Sequence, residues 1–146
     1  MPPGGWPVAG CDEYCASVKT TNFYMGPIHP RDKKPVGERL ARFALRDLYG
    51  EPGVIAEGPR LRRAVSRGGE LVLDFDHVHG ALEAQGEVIG EFEVAGQDGV
   101  YVPAAARISE DGQRVILESE AVTSPVDARY LWNDAGYSQI MGGAGL

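Results

Sequence analysis

At 146 residues and 43% apolar content, the chain has room for one ordinary domain, or for the tail of one domain plus a small second one, and it can bury a core. Its 20 glycines and 10 prolines favour turns and short elements over a helical bundle. A net charge of −7 argues against a nucleic-acid partner, since affinity for phosphate backbones comes from Lys and Arg, and no apolar run approaches the ~20 residues needed to span a bilayer.

The N-terminus, Met1-Pro2-Pro3-Gly4-Gly5-Trp6-Pro7, lacks both a basic region and a continuous apolar region, so it does not read as a secretory signal. Residues 1–10 are expected to be extended. Cys11 and Cys15 stand one helical turn apart with no second Cys/His cluster close in sequence. Free thiols or a local bridge are preferred there to a metal site. Ser17 to Tyr24 is rich in β-branched and aromatic residues and suits a strand. It leads into Gly26-Pro27-Ile28-His29-Pro30-Arg31-Asp32. Pro27 and Pro30 bias Gly26 and His29 away from the helical region, which holds His29 on stiff backbone at an element boundary. A histidine that transfers protons benefits from such a mount, although a loop histidine with no role has the same spacing.

A helix follows. Asp32 suits the N-cap and Pro35 the first turn. Val36, Leu40, Phe43, Ala44 and Leu48 form one apolar stripe, with Glu38, Arg39, Arg42, Arg46 and Asp47 on the other face. Glu38 and Arg42 are spaced for an i,i+4 pair. Gly50 is placed to end the helix, with Pro52 beyond it.

From Gly53 the period changes to two. Leu61 to Ser66, Glu70 to Asp76, Glu87 to Ala95, Val100 to Ile108, Arg114 to Ser119 and Ala128 to Asn133 are expected strands. Gly68-Gly69, Asp98-Gly99 and Asp111-Gly112 supply hairpin turns between most of them. The pattern predicts a small antiparallel β-sandwich, and residues 134–146, which end in Gly142-Gly143-Ala144-Gly145-Leu146, are expected to be mobile. The fold expected overall is α+β, with residues 1–52 carrying the histidine loop and helix and residues 53–146 forming the β-rich part.

Three other groups invite a functional reading. Arg60, Arg62, Arg63 and Arg67 cluster, and solvated strand edges are the preferred explanation. Asp74, Asp76, His77 and His79 lie within six residues. Strand alternation splits them between two faces, so a polar strand end is preferred to a metal site, and no metal or other cofactor is assigned. Trp6, Tyr101, Tyr130 and Trp132 could stack on a sugar, with Tyr130 and Trp132 expected on one strand face; packing is the preferred reading. Ser17, Ser66, Ser109, Ser119, Ser124 and Ser138 all lack the Gly-x-Ser-x-Gly setting of a nucleophile elbow.

Several stretches together resemble a family. Ile28-His29-Pro30-Arg31-Asp32-Lys33, with Gly37-Glu38-Arg39-Leu40-Ala41 and Tyr49-Gly50, is similar to the histidine block of the sialate O-acetylesterases, which are SGNH (GDSL-like) hydrolases. Glu57-Gly58-Pro59, Leu73 to Leu82, Gly90 to Gly99 with Val102-Pro103-Ala104, and Pro125-Val126 with Arg129-Tyr130-Leu131-Trp132 resemble later stretches of the same family, in the same order. The resemblance covers roughly residues 26–133. It implies a serine-dependent carbohydrate esterase in which His29 matches the catalytic histidine. The helix would be the last of an α/β SGNH domain, and a β-rich domain would follow. The family's serine and oxyanion blocks lie N-terminal to its histidine and have no counterpart in this chain. The Asp-x-x-His pattern is not kept either, since position 26 is Gly26. The resemblance therefore implies the C-terminal portion of such an esterase. Its expected partners are an O-acetylated sugar and either a serine-bearing N-terminal portion or a second copy. The alternative is a non-catalytic β-sandwich module that binds carbohydrate or another partner.

Overall fold

The computed structural model describes residues 34–133 and 138–146, which fall into two units, one ending at Ala56 and the other running from Glu57 to Leu146. The first unit shows one helix, α1 (Lys34–Asp47). Its expected N-cap, Asp32, lies outside the described residues. Gly50 takes the left-handed conformation (φ 71°) that lets the Glu51 amide turn back to the Leu45 carbonyl at 3.0 Å. Glu38 pairs with Lys34 at 3.5 Å and not with Arg42, whose guanidinium reaches the Ile55 carbonyl. The apolar stripe is exposed: Leu40 at 66% and Leu48 at 81%, with Val36 and Phe43 also open.

The second unit is built from antiparallel strands. β1 (Arg60–Arg67), β2 (Glu70–Asp76), β6 (Ala105–Ile108) and β7 (Arg114–Glu118) make a four-stranded sheet in the order β1-β2-β7-β6. β4 (Phe92–Ala95), β5 (Tyr101–Pro103) and β8 (Asp127–Tyr130) make a three-stranded sheet in the order β5-β4-β8. β3 (Glu83–Ala84) pairs with β9 (Ile140–Met141). No helix among the described residues is long and apolar enough to cross a membrane.

Alternation places the core. Leu71 and Leu73 of β2 lie opposite Leu117 and Val115 of β7, and all four are buried. Phe92 and Val94 of β4 join the same cluster with Val78, Leu82 and Ile89. Each such side chain taken from water contributes about 1.5–3 kcal/mol before entropy is counted.

Turn chemistry sets the register. Gly68 and Gly69 both have positive φ, as a two-residue type I′ hairpin needs, and Arg67 pairs directly with Glu70. Gly112 is also left-handed, and a Cβ there would fall 2.5 Å from the Ala81 Cβ, so glycine is required twice over.

The expected strand from Val100 to Ile108 is two strands in different sheets. β5 pairs with β4, β6 pairs with β7, and the chain turns the corner at Ala104, whose N–H donates to the Phe92 carbonyl at 3.0 Å. The expected strand from Glu87 narrows to Phe92–Ala95, because Glu91 adopts φ 63° and only an isolated Ile89–Ala106 bridge precedes it. Residues 138–146 are hydrogen-bonded into the fold, contrary to the expectation of a mobile tail. β9 pairs with β3, the Gly143 amide donates to the Val78 carbonyl, and a Cβ at Gly142 would meet that same carbonyl at 2.7 Å. The glycines there permit close packing, which composition alone does not distinguish from flexibility.

Candidate functional site

His29 lies outside the described residues, as do Trp6, Cys11, Cys15 and Ser17. Several of the described serines serve local structure. Ser109 Oγ donates to Asp111 and accepts the Arg114 amide, Ser119 Oγ donates to the Pro103 carbonyl, and Ser138 Oγ donates to the Ile140 carbonyl.

The Asp74–His79 stretch is divided by its surroundings. Asp74 is buried on the outer face of the four-stranded sheet, where cross-strand register puts Arg63 on one side and Arg114 on the other. Arg63 Nε donates to Asp74 Oδ2 at 2.5 Å, and Arg114 Nε donates to Oδ1 at 3.0 Å. The hydrogen bond from Arg63 holds the Asp74 carboxyl below the usual aspartate range, against the opposing effect of burial. Asp76 stands 3.8 Å from Arg62. The strand ends there, and His77 (φ 57°) and His79 (φ 53°) both turn left-handed, so alternation does not continue through them. His77 Nε2 lies 3.7 Å from Glu57. No group of three or more His, Cys, Asp or Glu is placed to hold a metal among the described residues. Arg62 and Arg63 of the basic cluster thus face carboxylates from β2, while β1 is exposed along its whole length at the sheet edge.

The aromatic residues are sorted differently from the expectation. Tyr130 turns inward: its ring stacks on Phe92 at 4.2 Å, and its hydroxyl accepts the Gln139 amide at 2.7 Å. Trp132 does not share that face. Leu131 takes φ 53°, breaking the alternation, and Trp132 emerges 72% exposed with the Arg129 guanidinium 5.7 Å from its ring. The turn is held from Glu91, the residue just before β4: the Leu131 amide donates to the Glu91 carbonyl, and Asn133 Nδ2 donates to Glu91 Oε2 at 2.6 Å.

Inward Val94 and Ala128 put Glu93, Asp127 and Arg129 on the outward face of the three-stranded sheet. Glu93 and Arg129 are register partners, and Arg129 Nε donates to Glu93 Oε2. The Arg129 guanidinium lies 4.2 Å from the centre of the Tyr101 ring. Tyr101 and Asp127 both pair with the small, fully buried Ala95 of the central strand, and the Tyr101 hydroxyl donates to Asp127 Oδ2 at 2.6 Å. The one hydrogen bond that Arg129 donates to Glu93 lowers the Glu93 carboxyl and raises the Arg129 guanidinium. The hydrogen bond to Asp127 raises the Tyr101 hydroxyl. The result is a braced polar surface beside one open indole. Glu93, Asp127 and Arg129 were not legible as a group. Each alternates with core residues on its own strand, but their meeting depends on β4 lying between β5 and β8.

The chain matches no protein-family profile and no curated protein. It is similar to a solved structure described as a novel carbohydrate acetylesterase from Xanthomonas citri, with 38% identity and a TM-score of 0.71. The match covers 81% of this chain and 27% of that one, so this chain spans about a quarter of the length of the structure it resembles.

Proposed function

We propose that this chain is the C-terminal portion of a carbohydrate O-acetylesterase, acting on sialate or another O-acetylated sugar. The observation that carries the proposal is the 38% identity to a carbohydrate acetylesterase over 81% of the chain. The resemblance of the Ile28-His29-Pro30 block to sialate O-acetylesterases supports giving His29 the role of general base. The serine is then supplied by a portion of the enzyme that this chain does not contain.

In that scheme the serine oxygen attacks the acetyl carbonyl carbon and His29 accepts the serine proton. The tetrahedral intermediate collapses, the bond between the acetyl carbon and the sugar oxygen breaks, and His29 returns the proton to the departing sugar oxygen. Water then attacks the acetyl-serine, His29 accepts a proton from it and passes it to the serine oxygen, and acetate leaves. The exposed Val36, Leu40, Phe43 and Leu48 stripe of α1 is assigned to packing against the serine-bearing portion, since apolar faces of this kind mark contact surfaces.

The test combines the chain with a separately expressed serine-bearing portion and measures release of acetate from an aryl acetate and from O-acetylated sialate. Activity that needs both pieces and is lost in His29→Ala is expected. Activity unchanged by His29→Ala refutes the base assignment. An exposed indole among hydrogen-bonding side chains also fits a non-catalytic carbohydrate-binding module, for which the two pieces together would show no hydrolysis.

A further inference from the structure

The outward face of the three-stranded sheet has four properties seldom found together on an inert surface. First, it leaves a tryptophan ring 72% exposed, although Trp132 is the kind of side chain that gains most from burial. Second, the ring's position is set by two left-handed non-glycine residues, Glu91 (φ 63°) and Leu131 (φ 53°), tied to each other by the Leu131 N–H to Glu91 carbonyl bond. Such backbone is disfavoured and is enriched where a ligand is clamped. Third, the polar groups beside the ring are already immobilised: Arg129 by Glu93 and the Tyr101 ring, Tyr101 by Asp127. A ligand meeting them loses little side-chain entropy. Fourth, Arg129 donates to Glu93 through Nε, which leaves the terminal guanidinium N–H groups as donors next to the indole.

We propose that Trp132, Arg129, Glu93 and Asp127 form a subsite for a neutral sugar residue of the substrate glycan, its apolar ring face stacked on the indole and its hydroxyls bonded to the charged groups. The carbohydrate class rests on the proposed function; the subsite itself rests on the geometry. Neutrality follows from charge. Glu93 and Asp127 place two carboxylates against the single cation of Arg129, with Glu91 beside them, in a chain of net charge −7. An anionic sugar would be repelled. A sugar is favoured over a protein partner because the apolar surface is one ring bordered by charged and hydroxyl groups, whereas a protein hot spot sits in surroundings that exclude water.

The experiment follows the indole N–H resonance of Trp132 in the full chain, assigned with Trp132→Phe to separate it from Trp6. The probes are cellotetraose, xylotetraose and β-1,4-galactotetraose, with N-acetylneuraminic acid as the anionic comparison. A neutral tetrasaccharide is expected to shift the resonance, and N-acetylneuraminic acid is not. The Trp132 variants lack that reporter, so affinity for the tetrasaccharide that shifts the native resonance is read by isothermal titration calorimetry, where Trp132→Ala is expected to weaken binding about tenfold, the scale of one aromatic contact. Arg129→Ala should weaken it less, and Trp132→Phe should retain part of it. Trp132→Ala is expected to leave the unfolding midpoint unchanged, because the ring is exposed.

Four results overturn the subsite: no neutral probe shifts the resonance, binding survives Trp132→Ala, N-acetylneuraminic acid binds better than the neutral probes, or concentrating the protein alone produces the shift. The last would assign the face to a protein contact. Failure here is separable from failure of the proposed function. His29-dependent hydrolysis of an aryl acetate without sugar binding would keep the function and remove the subsite, and sugar binding without hydrolysis would do the reverse.

Discussion

Asp74→Asn tests whether the two-arginine clasp stabilises the four-stranded sheet. The substitution keeps size and one oxygen acceptor but removes the charge that Arg63 and Arg114 share. Removing one partner of a fully buried pair costs about 3–5 kcal/mol, whereas an exposed pair is worth about 0–1 kcal/mol. Here the Asp74 side chain is 11% exposed, but the side chains of Arg63 and Arg114 remain 62% and 47% exposed and can rehydrate. The expected loss is therefore about 2 kcal/mol, below the buried range because water screens the arginines. In a unit of this size that lowers the thermal midpoint by on the order of 10 °C. The pH dependence follows from the direction of the shift. Asp74 is more acidic folded than unfolded, so its contribution is fully present above the ordinary aspartate value and is lost as pH falls through the lower, folded value. Urea unfolding at pH 7 and at steps down to pH 3 measures it. The gap between the native chain and Asp74→Asn should be largest at pH 7 and narrow below about pH 4. A difference under ~0.5 kcal/mol at pH 7, or one that persists undiminished at low pH, refutes the reasoning.

Gly112→Ala should destabilise by at least about 2 kcal/mol, since the added Cβ meets Ala81 at 2.5 Å as well as requiring a left-handed backbone. Gly99→Ala, with nothing within 4 Å, should cost only the backbone term of about 1 kcal/mol, so equal losses in chemical denaturation would contradict the steric account. Tyr130→Phe removes the acceptor of the Gln139 amide and should cost about 1 kcal/mol, with faster hydrogen exchange at that amide as the specific readout. Leu40→Glu with Phe43→Glu should leave the unfolding midpoint of the β-rich unit unchanged, because both side chains are exposed on α1. In the two-piece esterase assay the pair should abolish the gain in activity on mixing.

The helix and most strands were legible because each rests on a local rule. Alternation in Glu70 to Asp76 names Leu71 and Leu73 as core, and Gly68-Gly69 names its hairpin, whatever else the chain does. Expectations failed where a local pattern has two tertiary outcomes. Val100 to Ile108 reads as one run of strand-forming residues, yet it serves two sheets, because the corner at Ala104 is stabilised by the Phe92 carbonyl from another strand. The glycine-rich terminus has the composition of a loose tail, but its glycines permit backbone contact with Val78 and His79 that side chains would block.

The same division runs through the candidate sites. The amino-acid order by itself determined that Asp74 and Asp76 share a strand face, that α1 carries an apolar stripe, and that the histidine block resembles an esterase's. Only the tertiary structure decided what those residues meet: Asp74 meets two arginines from neighbouring strands and not a metal-ligand set, and Tyr130 and Trp132 part company at a left-handed Leu131. The physical reason is range. Periodicity and turn preference act over a few residues, whereas Glu93 meets Arg129, and Tyr101 meets Asp127, through strand pairings that bring together residues 36 and 26 positions apart.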